Sequence, residues 1–248
     1  MSKLLCLLML FSTSVFSKEY LIKFNTKMKK DSRAVITKLG EVSEIPVRFA
    51  HFQKLTTKQY LTYDQIQLIQ GLVDVEYVEE NKVYRIQEVF ERGPLISAEN
   101  AGDLYSKQWG LKNTGDNSGG LWRPGVAGED IAAESAWRVT TGSRDVVIAV
   151  IDTGVDFTHN DLKDNMWTNA AELNGEAGVD DDGNGYIDDV YGYNFQEDLP
   201  SPKDGNGHGT HCAGIIGAAH NGEGTKGVMA NVQIMALKFL ADSGAGTL

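Results

Sequence analysis

Two histidines and a cysteine lie within five positions of one another in the glycine-rich stretch GNGHGTHCAG, Gly205–Gly214. Side chains of these types can do three kinds of chemistry. They can bind zinc through imidazole nitrogen and thiolate sulfur, or they can pair a cysteine nucleophile with its base. The third chemistry is general-base catalysis by a histidine whose partners come from elsewhere in the chain.

The spacing of the remaining candidate ligands argues against zinc. His51, His159 and His220 show no ligand spacing with the cluster, and no second cysteine remains after removal of an N-terminal leader. Cys212 follows His208 by four residues in a segment rich in Ala, Gly and Ile, which predicts a buried, unreactive thiol on the same helix face. A histidine at a helix N-terminus with a nearby carboxylate is suited to act as a base, so the pattern favours His208.

A carboxylate for this role follows the apolar, β-branched run DVVIAVID, Asp145–Asp152. Such a run is typical of a central parallel strand that is covered on both faces. A second strand is predicted at Val232–Leu240, with a helix over 208–219 between the two. Helices that alternate with buried strands predict a doubly wound sheet, whose ligands lie beyond the carboxyl ends of the strands. Asp152 stands at such an end, where it either caps a turn or orients an imidazole.

The first 17 residues, MSKLLCLLMLFSTSVFS, have the pattern of a signal peptide that is cleaved after Ser17, and the apolar run is too short to span a bilayer. The protein is therefore expected to be secreted, either outside the cell or into a periplasm. Residues 18–95 show the order strand, helix, strands, helix, strand, which predicts a small ferredoxin-like α+β domain. Asp31 or Ser32 is predicted to cap its first helix and Asp64 its second, while Pro46 indicates a break or an edge strand.

Glycine content and charge both change near residue 100. Only three of the 27 glycines precede residue 102. Residues 1–95 hold 14 Lys and Arg against 11 Asp and Glu, whereas the remainder holds 9 against 23. Two segments of opposite charge could attract one another. The acidic second segment argues against nucleic acid as a partner.

The stretch DDDGNGYIDD, Asp180–Asp189, predicts a calcium loop of the EF-hand type. Its oxygens recur at alternating positions, and the close carboxylates repel one another unless a cation neutralises them. Tyr191 stands where the bidentate glutamate of an EF-hand would fall, so the full geometry is not expected. The alternative is an acidic surface turn. The candidate ligands are Asp180, Asp182, Asn184, the Tyr186 carbonyl and Asp188.

Three longer motifs, AVIDTGVDFTHNDL at Ala149–Leu162, NGHGTHCAGIIGA at Asn206–Ala218 and GVMANVQIMALKFL at Gly227–Leu240, closely resemble the subtilisin-like serine proteases. The cysteine after the second histidine resembles the proteinase K branch, where this position holds a free thiol. The resemblance implies that Asp152 and His208 are the aspartate and histidine of a catalytic triad. It also implies that residues 18–95 are an inhibitory propeptide that binds in cis and assists folding.

Further roles follow from the same resemblance. Gly244, Ala245 and Gly246 match the edge strand that binds substrate backbone, and a second calcium site is implied near the start of the catalytic domain. Its ligands would be Asp161, Asn221 and the carbonyls of Ala219, Glu223 and Thr225, with Gln108 as a further candidate. The family's Gly-Thr-Ser-Met-Ala motif, which carries the nucleophile, and the asparagine of the oxyanion hole do not occur up to Leu248. This chain alone is therefore expected to be inactive.

The expected organisation is a signal peptide over 1–17, a propeptide over 18–95 and, over 96–248, the N-terminal part of a doubly wound α/β subtilisin-like catalytic domain. The expected function is that of a monomeric secreted endopeptidase precursor that acts on polypeptides, binds calcium and needs no membrane after signal removal. Two alternatives remain open. One is an inactive binding or inhibitor protein, and the other is a calcium-binding module.

Overall fold

The computed structural model describes residues 17–45, 50–86, 104–115 and 125–247. The predicted signal peptide up to residue 16 and the expected break at Pro46 lie outside these ranges. The chain divides into two compact units between Val83 and Tyr84.

The first unit is an antiparallel four-stranded sheet with two helices. Its strands follow the order β2-β3-β1-β4, as expected of a ferredoxin-like α+β domain, so that prediction is confirmed. The elements are β1 (Lys18–Phe24), α1 (Lys30–Ile36), β2 (Glu41–Ile45), β3 (His51–Thr57), α2 (Tyr63–Gln70) and β4 (Val75–Glu80). The next strand, β5 (Val83–Arg85), begins at the last residue of this unit and continues into the second.

Alternation along β1 builds the core of this unit. Tyr20, Ile22 and Phe24 point to one face and pack with Ile36 of α1 and Ile69 of α2. Removal of these side chains from water is the main source of stability for such a small unit.

Both predicted helix caps in this unit are wrong. The residue before α1 is Lys29, without a side-chain cap, because the buried Ser32 hydroxyl donates instead to Asp74. Thr62 caps α2, and it forms a reciprocal capping box with Gln65.

The second unit contains a parallel three-stranded sheet with the order β6-β8-β7, which confirms the predicted α/β class. Its β8 and α5 correspond to the strand and the helix predicted around residues 232–240 and 208–219. The elements are α3 (Ala133–Trp137), β6 (Gly142–Asp152), α4 (Ala170–Asn174), β7 (Gly192–Asn194), α5 (His208–Gly217), β8 (Asn231–Lys238) and β9 (Ala245–Thr247).

In the described part of the sheet, β8 is the central strand and β6 lies at an edge. Val232, Ile234 and Ala236 of β8 are buried, whereas Val147 and Ile151 of β6 are 43% and 65% exposed. The expectation that β6 is covered on both faces is therefore wrong for the described residues. The physical reason is that Val150 packs with Ala213 of α5 in one core cluster, whereas Val147 and Ile151 lie on the opposite face of the strand, outside that cluster.

Parallel pairing aligns the carboxyl ends of the three strands. Asp152 of β6 and Asn194 of β7 both lie opposite Lys238 of β8. Polar side chains therefore collect at one edge of the sheet, as the doubly wound prediction required. None of the helices in the described ranges has the length and apolar content needed to cross a membrane.

Candidate active site

Asp152 and His208 meet at the carboxyl end of β6. Both carboxylate oxygens of Asp152 lie 2.8 Å from Nδ1 of His208. Oδ1 also accepts the backbone N–H of Thr153 at 2.7 Å, which fixes the carboxylate at the end of the strand. The Asp152 side chain is 13% exposed and the His208 side chain 23%. The imidazole is therefore held by a shielded carboxylate through one nitrogen.

Glycines allow α5 to start close to the end of β6. Gly207 precedes the helix with a φ of 102°, a conformation that L side chains rarely adopt. Gly209 donates its N–H to the Thr153 hydroxyl at 3.1 Å, and a Cβ at Gly209 would overlap the carbonyl oxygen of Gly154. This close approach places His208, the first residue of α5, against Asp152.

Asp204 holds the loop before the helix. Its carboxylate accepts hydrogen bonds from the backbone N–H groups of Asn206, Gly207 and Thr210 and from the hydroxyls of Thr153 and Thr210. Burial raises the pKa of Asp204, but the bonds from Gly207, Thr210 and Asn206 outweigh burial and hold this pKa below its usual range. Asp204 and Thr153 were not singled out from the sequence. Only the position of Asp204 in the glycine-rich loop before His208 hinted at them.

Cys212 lies beneath the histidine, as its spacing predicted. Its Sγ is 3.8 Å from Nδ1 of His208, and the residue is half-buried. Burial, followed by the charges of Asp152 and Asp204, raises the pKa of this thiol. The thiol is thus kept protonated and is a poor nucleophile at neutral pH. His211 is exposed on α5. The ligand atoms of Asp152, His208 and Cys212 lie within 4.8 Å of one another, and His211 is not part of this group.

The predicted substrate strand forms the short β9. Gly244 enters it from a turn, with a φ of 77° and its N–H donated to the carbonyl of Ala241. β9 pairs with β5, and the N–H of Ile86 donates to the carbonyl of Gly244 at 3.0 Å. Tyr84 packs edge-on against Phe239, with 6.0 Å between ring centroids. Residues 84–86 and β9 belong to the same compact unit.

The predicted calcium loop draws in a glutamate from outside its sequence. Oxygens of Glu172, Asp180 and Asp182 lie within 4.8 Å of one another. Glu172 is buried and accepts the N–H groups of Asp181, Asp182 and Asp188. It belongs to α4, which Asn169 caps. The sequence reasoning missed Glu172 because it lies eight residues before the loop.

The end of this loop departs from the alternating pattern. The Asp188 carboxylate accepts the N–H of Gly178 at 2.9 and 3.1 Å, and the residue has a φ of 54°. Asp189 is buried beside Asn169 and Asn184 instead. Burial raises the pKa of Asp189, and the charges of Asp182 and Glu172 raise it further. The N–H of Tyr186 donates to Asn184 Oδ1 at 2.7 Å, so Asn184 Oδ1 is partly engaged within the loop.

The residues of the second implied calcium site are brought together. Buried Asp161 accepts the N–H of Thr225 at 2.9 Å and contacts Asn221 Nδ2 at 3.4 Å, while its carbonyl accepts the N–H of Ala219. The N–H of Glu223 donates to Asn221 Oδ1. Gln108 is bound to Lys226 through both atoms of its side-chain amide.

Comparison with known proteins finds similarity over the part of the chain that holds this site. A family model described as Subtilase family, Peptidase_S8, matches residues 143–248. Subtilisin-like protease 1 of Plasmodium berghei (strain Anka) is 44% identical over 112 residues, which are 44% of this chain and 19% of that protein. Thermophilic serine proteinase of Bacillus sp. (strain AK1) is 31% identical over 67% of this chain and 35% of that protein.

Minor extracellular protease Epr of Bacillus subtilis (strain 168) is 28% identical over 93% of this chain and 28% of its own length. The chain thus spans between 19% and 35% of the length of these three relatives. The segment that the Subtilase family model matches, residues 143–248, carries Asp152, His208 and β9.

Proposed function

We propose that this chain is part of a secreted serine endopeptidase precursor, in which Asp152 and His208 are two members of the catalytic triad. The observation that carries the proposal is the pair of 2.8 Å contacts between the Asp152 carboxylate and Nδ1 of His208. The pair lies at the carboxyl end of a parallel strand, where open α/β sheets place their ligands.

The mechanism assigns a distinct role to each residue. Asp152 accepts a hydrogen bond from Nδ1–H, which fixes the tautomer and leaves Nε2 of His208 as the basic nitrogen. Nε2 takes the proton of a serine hydroxyl as that oxygen attacks the peptide carbonyl. It then returns the proton to the leaving amine. Asp152 stabilises the imidazolium formed between these steps. The proposal requires a serine and oxyanion-hole donors, and no described residue is assigned to either role.

Substrate is proposed to bind along β9 by adding a strand to its edge, with Gly244, Ala245 and Gly246 supplying backbone groups. The pairing of Ile86 with Gly244 supports this, because an extended segment already uses that edge. The same pairing supports residues 18–95 as a propeptide that blocks the edge in cis until it is cut. The signal peptide over 1–17, the proteinase K-like position of Cys212 and a monomeric state remain parts of this proposal.

Calcium is proposed as a stabilising cofactor at two places, since both offer hard oxygen donors. In the acidic loop, Glu172 joins Asp180 and Asp182, with Asn184, the Tyr186 carbonyl and Asp188 as the remaining predicted ligands. Near the start of the domain, Asp161, Asn221 and the carbonyls of Ala219, Glu223 and Thr225 would hold the ion. A bound cation supplies charge that offsets the repulsion between these carboxylates.

The test uses the full-length protein and a fluorogenic peptide substrate. Asp152→Asn is expected to lower kcat by about four orders of magnitude, since the amide no longer holds the required tautomer. His208→Ala is expected to lower kcat at least as far. His211→Ala is the matched control, because His211 is exposed on the same helix, and it should retain activity. Asp152→Asn and His208→Ala variants as active as the wild type would refute the proposal.

A further inference from the structure

Lys238 is a buried cation that has no role in the proposed mechanism. It ends β8, and only 5% of its side chain is exposed. Its Nζ donates to the carbonyl oxygen of Thr153 at 2.5 Å and to Oδ1 of Asp242 at 2.5 Å. Burial of an ammonium is costly unless the charge is paired and hydrogen-bonded, so these two contacts are what make its position tolerable.

The two acceptors belong to different segments of the site. Thr153 directly follows Asp152, which lies opposite Lys238 in the parallel register. Asp242 stands in the turn that leads from β8 into β9. One ammonium therefore joins the strand end that carries the catalytic aspartate to the turn that presents the substrate strand.

Further contacts lock the same turn. The carbonyl of Asp242 accepts the side-chain N–H of Asn206 at 2.8 Å, and Asn206 Oδ1 accepts the N–H of His208 at 3.3 Å. The Asp242 carboxylate also fills the space that a Cβ at Gly205 would take. The turn is thus fixed on one side through Lys238 and on the other through the loop before His208.

The start of α5 also has contacts that do not involve the Lys238 ammonium. Asp204 and the Thr153 hydroxyl hold the start of α5, as described above, and neither contact involves Lys238. Loss of the ammonium should therefore release the β9 turn while the Asp152–His208 contact persists.

We propose that Lys238 and Asp242 form a positioning pair that fixes the substrate strand β9 relative to Asp152 and His208. This inference rests on the proposed function for its role in substrate binding. The anchoring of β9 by the two residues can be measured without catalysis. Lys238 and Asp242 act through the backbone of β9 and are not themselves catalytic residues.

The first test measures amide hydrogen exchange by NMR in the chain of residues 1–248. In Lys238→Met and Asp242→Asn, the N–H groups of Gly244 and Ile86 should exchange about tenfold faster or more, because the first change removes the ammonium and the second removes the charge of its acceptor in the turn. The N–H of Gly209 should exchange as in the wild type. Asp242 is 63% exposed in its side chain, so Asp242→Asn keeps the test informative if Lys238→Met does not fold.

The double variant distinguishes a pair from two separate effects. If the two residues act as a unit, Lys238→Met with Asp242→Asn should accelerate exchange no more than either single change does. Unchanged exchange at Gly244 and Ile86 in Asp242→Asn would overturn the proposal. Equal acceleration at Gly209 would overturn it as well, since the effect would then be general loosening.

The second test uses the full-length protein with peptide substrates. Both single variants should raise KM about tenfold while kcat stays within about threefold, because a displaced β9 weakens substrate pairing but leaves the triad intact. A fall in kcat with unchanged KM would contradict the positioning role. If the wild type proves inactive, the proposed function fails, whereas the exchange result still decides whether Lys238 anchors β9.

Discussion

The close approach of α5 to the end of β6 gives the sharpest prediction, the effect of Gly209→Ala. A Cβ at this position would lie too close to the carbonyl oxygen of Gly154 and 3.1 Å from the Cβ of Asp152. Real Cβ contacts essentially never fall under 3.0 Å, so α5 and the end of β6 must separate by about 1 Å. Overpacking against backbone of this kind costs about 1–3 kcal/mol.

The same displacement affects the contact between Asp152 and His208. The contacts between Asp152 and His208 Nδ1 measure 2.8 Å, and they lengthen beyond hydrogen-bond range if the helix start retreats by about 1 Å. Gly209→Ala should therefore lower the unfolding temperature of the second unit and shift the imidazole signals of His208. In the full-length protein it should also lower kcat.

Gly214→Ala is the matched control on the same helix. Nothing lies within 4 Å of a Cβ built at Gly214, and its backbone is not in the left-handed region. Alanine there should stabilise the second unit by about 0.5–1 kcal/mol through reduced chain entropy in the unfolded state. Thermal unfolding followed by NMR signals of β8 compares the two variants. Equal stability of Gly209→Ala and Gly214→Ala, with unchanged His208 signals, would refute the reasoning.

Three further predictions concern ionisable groups. Burial raises the pKa of Asp74, but hydrogen bonds from the Ser32 hydroxyl and the Lys29 N–H outweigh burial and lower this pKa. The stability that Asp74 contributes is therefore present above its unfolded pKa of about 4, and it is lost as the pH falls from there through the lower pKa of the folded state. Acid unfolding of the first unit, followed by signals of β1, should lose this pH dependence in Asp74→Asn, and an unchanged profile would contradict the assignment. Millimolar calcium should raise the unfolding temperature of the second unit in calorimetry, and Glu172→Gln should remove the part of this rise that the acidic loop contributes, while the exposed Glu176→Gln keeps the full rise. A rise in Glu172→Gln as large as in the wild type, or no rise in the wild type, would rule out calcium binding in the loop. Iodoacetamide at pH 7.5 should alkylate Cys212 at least about tenfold more slowly in the folded chain than in urea, because burial raises the pKa of the thiol; similar rates would show that the thiol is accessible and ionised.

The local sequence pattern was sufficient to predict the helices and strands but not where they begin and end. The alternation of Tyr20, Ile22 and Phe24 and the apolar run before Asp152 identify strands, because burial imposes those periods. The cap of α1 could not be found this way. The Ser32 hydroxyl donates to Asp74, a residue 42 positions away, and such a tertiary contact leaves no mark in the local sequence.

The sequence likewise identified some residues of the candidate site and missed others. Asp152 and His208 were identified by long motifs, and the structure brings them into contact. Glu172 entered the acidic loop from α4, and Asp188 turned toward Gly178, because backbone conformation decides which carboxylates converge. Position along the chain carries little information about such convergence. Lys238 was missed for a related reason, since its burial depends on Thr153 and Asp242, which flank it only in the folded sheet.

The pairing of β5 with β9 has a consequence for concentration. Ile86 and Gly244 belong to one covalent chain, so their association is unimolecular, with an effective concentration at most on the order of millimolar. A free peptide that pairs with the same edge must exceed this value to gain access. Once the chain is cut beyond Ile86, the association becomes bimolecular. At about micromolar protein, the effective concentration of the strand then falls by up to about a thousandfold, which favours its dissociation from β9.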